Sequence, residues 1–141
     1  IASEDIGNAD PRALQITLNA WDIYERLGDK EGNRAIAHAA VFCACAPKSN
    51  AVHSAFNQAI QAAKDTNDLD VPVHLRNATT KLLEELGHGK GYRYAHNEPG
   101  GFSQGQTYFP EEMGEQIYYE PTDRGLEIKI KEKLKQLRAH L

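Results

Sequence analysis

Apolar residues recur at intervals of three and four from Leu14 through Leu18, Trp21, Ile23 and Tyr24 to Leu27, the period of an amphipathic α-helix. Asp10 and Pro11 open this helix, the carboxylate as N-cap and the proline at the first helical position, and Gly28 ends it. A second helix is predicted over about 33–46, closed by Pro47. Its apolar residues wrap most of the circumference, so it is expected to be central, with His38 a hydrogen-bonded core residue. Ser49 then caps a third helix over about 50–64, with Val52, Phe56, Ala59, Ile60 and Ala63 on one face.

Beyond it, Pro72 interrupts a turn-rich connector, and Asn77 is expected to cap a short fourth helix with Leu82, Leu83 and Leu86 as its apolar face. Pro110, Glu111 and Glu112 read as a short helix start, Ile117 to Tyr119 as a small apolar plug, and Thr122 as the N-cap of a final helix over about 123–140. That helix carries Leu126, Ile130, Leu134, Leu137 and Leu141 on one stripe. Arg124, Lys131, Lys135 and Arg138 lie on another, about 110° away at roughly 100° per residue. No stretch alternates with the period of a strand, and no internal repeat is present. The fold expected is all-α, with five to six helices and one long ordered loop.

The loop follows the fourth helix, which Gly87 and Gly89 end, and runs to Pro110 without a helical or strand period. Tyr92, Tyr94, Phe102, Tyr108 and Phe109 lie in it, and so many large rings are out of place in a solvated linker. The rings are therefore expected to pin the loop onto the helices, with Pro99, Gly100 and Gly101 forming a tight turn.

At 141 residues and 40% hydrophobic, the chain is long enough for one core, and no second domain is needed. The opening IASEDIG is neither a charged leader nor an apolar signal segment, and it reads as the start of a piece of a longer protein. No window reaches the length of a membrane span, so the piece is expected to be soluble. Cys43 and Cys45 diverge by about 200° on a helix and cannot bridge each other. They read as small core residues of a reducing compartment, which makes the cytoplasm the expected location. A formal net charge of −4 argues against coating nucleic acid through the overall field, so any DNA contact must be local.

Enzymatic signatures are missing. GHGKGYRY, at 87–94, lacks the spacing and the hydroxyl of a phosphate loop and follows a helix where such a loop follows a strand. His96-Asn97-Glu98 has no Pro-Cys-x-x-Cys companion, and the six histidines are scattered, which argues against a metal site. His96 is expected to fix the loop rather than to perform acid–base work. The pairs Glu84-Glu85 and Glu111-Glu112 diverge on a helix and make no dyad. No catalytic residue, cofactor-binding residue or metal ligand is assigned.

Taken together, SEDIGNADPRAL, APKSN, HLRNATTKLLEELGHGKGYRYAH, EPGG and YYEPTDRGLE closely resemble the C-terminal part of the RarA/MgsA family, replication-associated recombination AAA+ ATPases related to clamp loaders. The resemblance spans nearly the whole chain. By motif, Ser3 to Gly7 correspond to the join with the lid of the ATPase module, so 1–10 is a junction and 11–141 a single helical domain. Lys90, Gly91, Tyr92, Tyr94, His96, Pro99, Gly100 and Gly101 match the family's loop signature, and Thr79 stands where many members have proline. The resemblance implies a collar domain, similar to that of clamp loaders, through which the intact protein forms a homotetramer. It also implies a DNA-dependent ATPase acting at stalled forks in replication, recombination and repair, with a single-stranded DNA-binding protein as partner. ATP and magnesium would be held upstream of Ile1, so this chain is expected to be no enzyme by itself.

A rival reading makes the chain a DNA-binding module. Lys90 and Arg93, beside Tyr92 and Tyr94, together with Arg124, Lys131, Lys135 and Arg138 on the last helix, are the candidate contacts to fork or single-stranded DNA.

Overall fold

A computed structural model of the chain describes residues 1–139, and His140 and Leu141, where the predicted last helix ends, lie outside the described residues. These residues form five α-helices joined by short 3₁₀ and π turns and loops, with no strand. The helices are α1 (Arg12–Leu27), α2 (Asp29–Cys45), α3 (Ala51–Asp65), α4 (Lys81–Glu85) and α5 (Glu127–Arg138). The described residues divide into two units, one of Ile1–Ile60 with Tyr118–Leu134, the other of Gln61–Ile117 with the described residues from Lys135 onward.

In the first unit, Gly28 adopts φ 73° and turns the chain with a single residue, so α2 starts several residues earlier than predicted. Tyr24 of α1 meets Gly32 of α2, and the Arg12 guanidinium lies 5.4 Å from the centre of the Phe42 ring, so the helices run antiparallel. The approach at Gly32 is close: a Cβ there would fall within 2.5 Å of Tyr24 Cα. At the far end of this hairpin Ile6, Ala13, Cys43 and Ala46 form the core, with Ala2 and Phe42 packed beside them. Asp10 starts α1 as expected in kind, its Oδ1 accepting from the Arg12 N–H at 3.2 Å. Ser49 Oγ likewise accepts from the Ala51 N–H at 3.2 Å to begin α3. Lys48 closes α2, its Nζ donating to the carbonyls of Cys43 at 2.7 Å and Ala46 at 2.6 Å.

Two expectations for α2 fail. Only Gly32, Ala39 and Cys43 are buried on it, while His38, Val41 and Cys45 are exposed. An alanine-rich helix looks apolar all round in sequence, but small side chains need only one neighbour, and α1 occupies that side. α3 likewise leaves Phe56 64% exposed.

The buried group that organises this unit is a carboxylate. Glu127 is fully buried, and Tyr119 donates its hydroxyl to Oε1 at 2.8 Å while Thr122 donates its N–H and hydroxyl to Oε2 at 2.9 and 2.7 Å. Burial pushes the Glu127 pKa up, but hydrogen bonds from Ser49, Thr122 and Tyr119 outweigh it and hold the group below the ordinary glutamate value. Thr122 is therefore not the cap of the last helix. It is a donor to Glu127, and the residues between them form turns, so α5 begins at Glu127. Asn8 donates to the Tyr119 hydroxyl at 3.2 Å, and the Leu126 N–H donates to the Ala9 carbonyl at 2.8 Å, tying the start of the chain to the start of α5.

That tie requires Gly125. It adopts φ 56°, and a Cβ there would overlap the Ala9 carbonyl oxygen. Gly125→Ala is expected to cost about 2 kcal/mol through forced φ and steric overlap. Urea unfolding of the two proteins measures this, and an unchanged midpoint with an unchanged slope refutes it.

The second unit is built differently. All fully buried apolar residues among the described residues belong to the first unit, whereas the buried side chains here are Ser103 and Gln106. Backbone and polar contacts hold it: Arg76 Nε donates to the Val71 carbonyl at 2.6 Å, His74 Nε2 lies 2.8 Å from the Thr107 carbonyl oxygen, and the Gly89 N–H donates to the Val73 carbonyl at 3.0 Å. Thr80, not Asn77, caps α4, accepting from the Leu83 N–H at 3.3 Å. Leu82 and Leu86, expected on its apolar face, are exposed. Pro110 to Gly114 make turns and no helix.

Candidate functional site

α1 turns its large side chains the wrong way for an isolated helical hairpin. Ala13 and Ala20 are the buried positions, while Leu14, Leu18 and Trp21 are 48%, 57% and 69% exposed. Spacings of four and then three residues place these three on one stripe of the helix. The reason is geometric: α2 approaches closely enough to require Gly32 against Tyr24, and only small residues fit the side of α1 between them. The bulky face is left to solvent. Beside α1, Ile16, Asn19, Ala20 and Ile23 with Ala35 and His38 of α2 line a shallow groove of about 230 Å³. A contiguous apolar stripe bearing the chain's one tryptophan is the usual mark of a contact surface.

The glycine and aromatic loop is ordered, with Phe102 and Phe109 half-buried and the Tyr108 hydroxyl accepting from Gln106 Nε2 at 3.1 Å. Most of the hydrogen bonds that hold it centre on Arg93. Its backbone N–H donates to Gln106 Oε1 at 2.7 Å, and its carbonyl accepts from Gln106 Nε2 at 3.3 Å and from Ser103 Oγ at 3.1 Å. Its guanidinium donates to Glu98 at 2.8 Å and to the Gln104 carbonyl at 2.6 Å. Glu98 is held below the ordinary carboxylate range by that hydrogen bond from Arg93, against the upward push of burial. With its interior filled by polar groups, the loop presents Tyr92, Tyr94 and Tyr108 about half exposed. His96 sits beside Tyr94 at 4.9 Å between ring centres, and Pro99 to Gly101 form a 3₁₀ turn in which Gly100 and Gly101 take positive φ.

The family model described as MgsA AAA+ ATPase C terminal matches residues 1–138. The chain belongs to this MgsA C-terminal family. It is 60% identical over 138 residues to replication-associated recombination protein A of Haemophilus influenzae, covering 98% of this chain and 31% of that protein. It is 59% identical to the protein of that name from Escherichia coli K12, covering 95% and 30%. It is 34% identical to the ATPase WRNIP1 of Dictyostelium discoideum, covering 85% and 14%. The chain thus spans less than a third of the length of these relatives.

In this MgsA C-terminal domain the motifs SEDIGNAD, APKSN and YYEPTDRGLE meet around Glu127. Asn8, Ser49, Tyr119 and Thr122 each take a place in its hydrogen-bond network. No motif reading singled out Glu127; the only signal was its place five residues after Thr122 in a run rich in hydrogen-bonding groups. The candidate cations differ in their circumstances. In the first unit Arg124 donates to the Lys48 carbonyl at 3.0 Å, and Lys131 is paired with Asp123 at 2.7 Å. In the second, Lys90 and Lys135 are exposed, Arg138 is half-buried, and the Arg93 guanidinium is committed to the loop. Among the described residues no group of three His, Cys, Asp or Glu is placed to hold a metal ion. No helix among them is long and apolar enough to cross a membrane.

Proposed function

We propose that this domain is the oligomerisation collar of a RarA/MgsA-like AAA+ ATPase that acts in replication-associated recombination and repair. The observation that carries the reading is the outward stripe of Leu14, Leu18 and Trp21 on a well-formed helix. Leaving such side chains in water costs roughly 1.5–3 kcal/mol each relative to burial, and a second copy of the chain removes that cost. A standard interface covers about 800 Å² per partner around such an apolar centre. In the intact protein the collar fixes the spacing of neighbouring ATPase modules, which bind ATP and magnesium at sites shared between subunits. The collar supplies position and no chemistry.

Sedimentation of the chain at micromolar concentration tests this. A closed assembly of four copies of the 15.7 kDa chain is expected, with no ATP turnover. Monomer alone at those concentrations overturns the collar reading, and turnover by the purified chain overturns its lack of chemistry.

A further inference from the structure

Within the second unit, the connector at 70–76 and the end of the glycine and aromatic loop at 107–115 line a groove of about 690 Å³. That is the size of a ligand site. Hydrogen bonds brace both sides: the Arg76 Nε–H donates to the Val71 carbonyl at 2.6 Å, and the Met113 and Gly114 N–H groups donate to the Pro110 and Glu111 carbonyls at 3.0 and 3.1 Å. His74 joins the two sides, its Nε2 lying 2.8 Å from the Thr107 carbonyl oxygen. Pro72 on one side and Pro110 on the other have a fixed φ and stiffen the backbone further.

Two features of the lining select the occupant. Val71 and Val73 are exposed and Pro72, Phe109 and Pro110 half-buried, an apolar surface that a unit whose buried side chains are Ser103 and Gln106 does not cover. In the same lining four carboxylates stand against one guanidinium. Arg76 is paired with Asp70 at 3.2 Å, which leaves Glu111, Glu112 and Glu115, all exposed and in no ion pair among the described residues. Such a surface repels phosphate, so nucleic acid and anionic lipid do not suit it. No three acids among the described residues are placed to hold a metal ion, so the charge suits cations spaced along a chain. Lysine and arginine meet both demands, because their stems lie along apolar surface while their charged ends reach a carboxylate.

We propose that this groove docks a cationic peptide segment of a partner protein. An apolar side chain of the segment covers Val71, Val73 and Phe109, and lysine or arginine residues on either side of it pair with Glu111, Glu112 and Glu115. The lining contains no residue of the α1 stripe and no candidate DNA contact, so the proposal stands or falls separately from self-association and from DNA binding.

Fluorescence anisotropy with a labelled Gly-Lys-Arg-Leu-Lys-Arg-Gly peptide tests the groove. The chain binds it with a dissociation constant below about 1 mM. A peptide with serine in place of leucine binds about tenfold more weakly, because the apolar contact is lost. A chain carrying Glu111→Gln, Glu112→Gln and Glu115→Gln together also binds the parent peptide about tenfold more weakly, the sum of three exposed ion pairs, and its binding depends less on salt. The glutamine chain keeps the far-UV circular dichroism and the urea midpoint of the parent, since all three side chains are exposed. No saturable binding by the parent chain up to about 1 mM, equal binding by the glutamine and parent chains, or equal binding of the leucine and serine peptides overturns the proposal. Loss of self-association in the glutamine chain, read by sedimentation, would give the groove to a second copy and overturn it too.

Discussion

Replacing Glu127 by alanine is expected to destabilise the domain by about 4 kcal/mol, the largest loss from a single side chain here. Tyr119 and Thr122 donate three hydrogen bonds to this carboxylate, Ser49 adds to them, and the residue is fully buried. Removing the acceptor strands donors in a site that water does not reach, and each stranded donor costs about 1–3 kcal/mol. A cavity is left as well. Glu127→Gln keeps the shape but presents an amide where Thr122 or Tyr119 needs an acceptor, so about 2 kcal/mol is expected. Urea unfolding measures both. Alanine and glutamine variants as stable as the parent would show that the network contributes nothing net.

The same group makes stability depend on acid. The folded pKa of Glu127 lies below its ordinary value of 4.5. A depressed carboxylate contributes stability that is fully present above the unfolded pKa and is lost as pH falls through the folded one. The parent is therefore expected to weaken as pH drops below about 4.5, more steeply than Glu127→Gln, whose amide does not titrate there. Asp10 and Glu98 are also held below their ordinary values by hydrogen bonds from Arg12 and Arg93, so the glutamine variant retains some acid dependence. Superimposable stability–pH curves for the two proteins would remove Glu127 from the account.

Changing Leu18 and Trp21 together to aspartate is expected to abolish the proposed self-association and leave a monomer with its helices intact. Both side chains are more than half exposed, so the isolated fold loses little beyond helix propensity, about 0.5 kcal/mol per residue. An interface pays far more. Truncating a central aromatic anchor costs 2 kcal/mol or more, and facing two carboxylates against their symmetry copies adds repulsion. Association is expected to fall by at least about a hundredfold. Sedimentation reads the mass, and far-UV circular dichroism confirms that the helical content is kept. An assembly of unchanged mass in the double variant would take the stripe out of the interface.

Much of the fold is legible from local rules. The period from Leu14 to Leu27 places α1, Gly28 ends it, Ser49 begins α3, and the absence of alternation excludes strands. Each of these depends on residues within a turn or two of one another, where backbone sterics and capping act. The family resemblance adds the collar expectation and draws attention to motifs that meet at Glu127.

Other features depend on which neighbour arrives. Periodicity says that Leu14, Leu18 and Trp21 share a face, but not whether that face looks inward, and Ala13 and Ala20 took the inner side because α2 comes too close for anything larger. Five aromatics between Gly87 and Pro110 announced order in the loop, yet three of them stay about half exposed while Gln106 and Ser103 hold the Arg93 backbone. Glu127 reads as one more acid on a charged helix until Tyr119, Thr122 and Ser49 close over it. Local propensity is a property of a few adjacent residues. Burial and hydrogen-bond satisfaction belong to groups that meet only after the chain has folded, and in this protein those later meetings decide what remains on the surface to act.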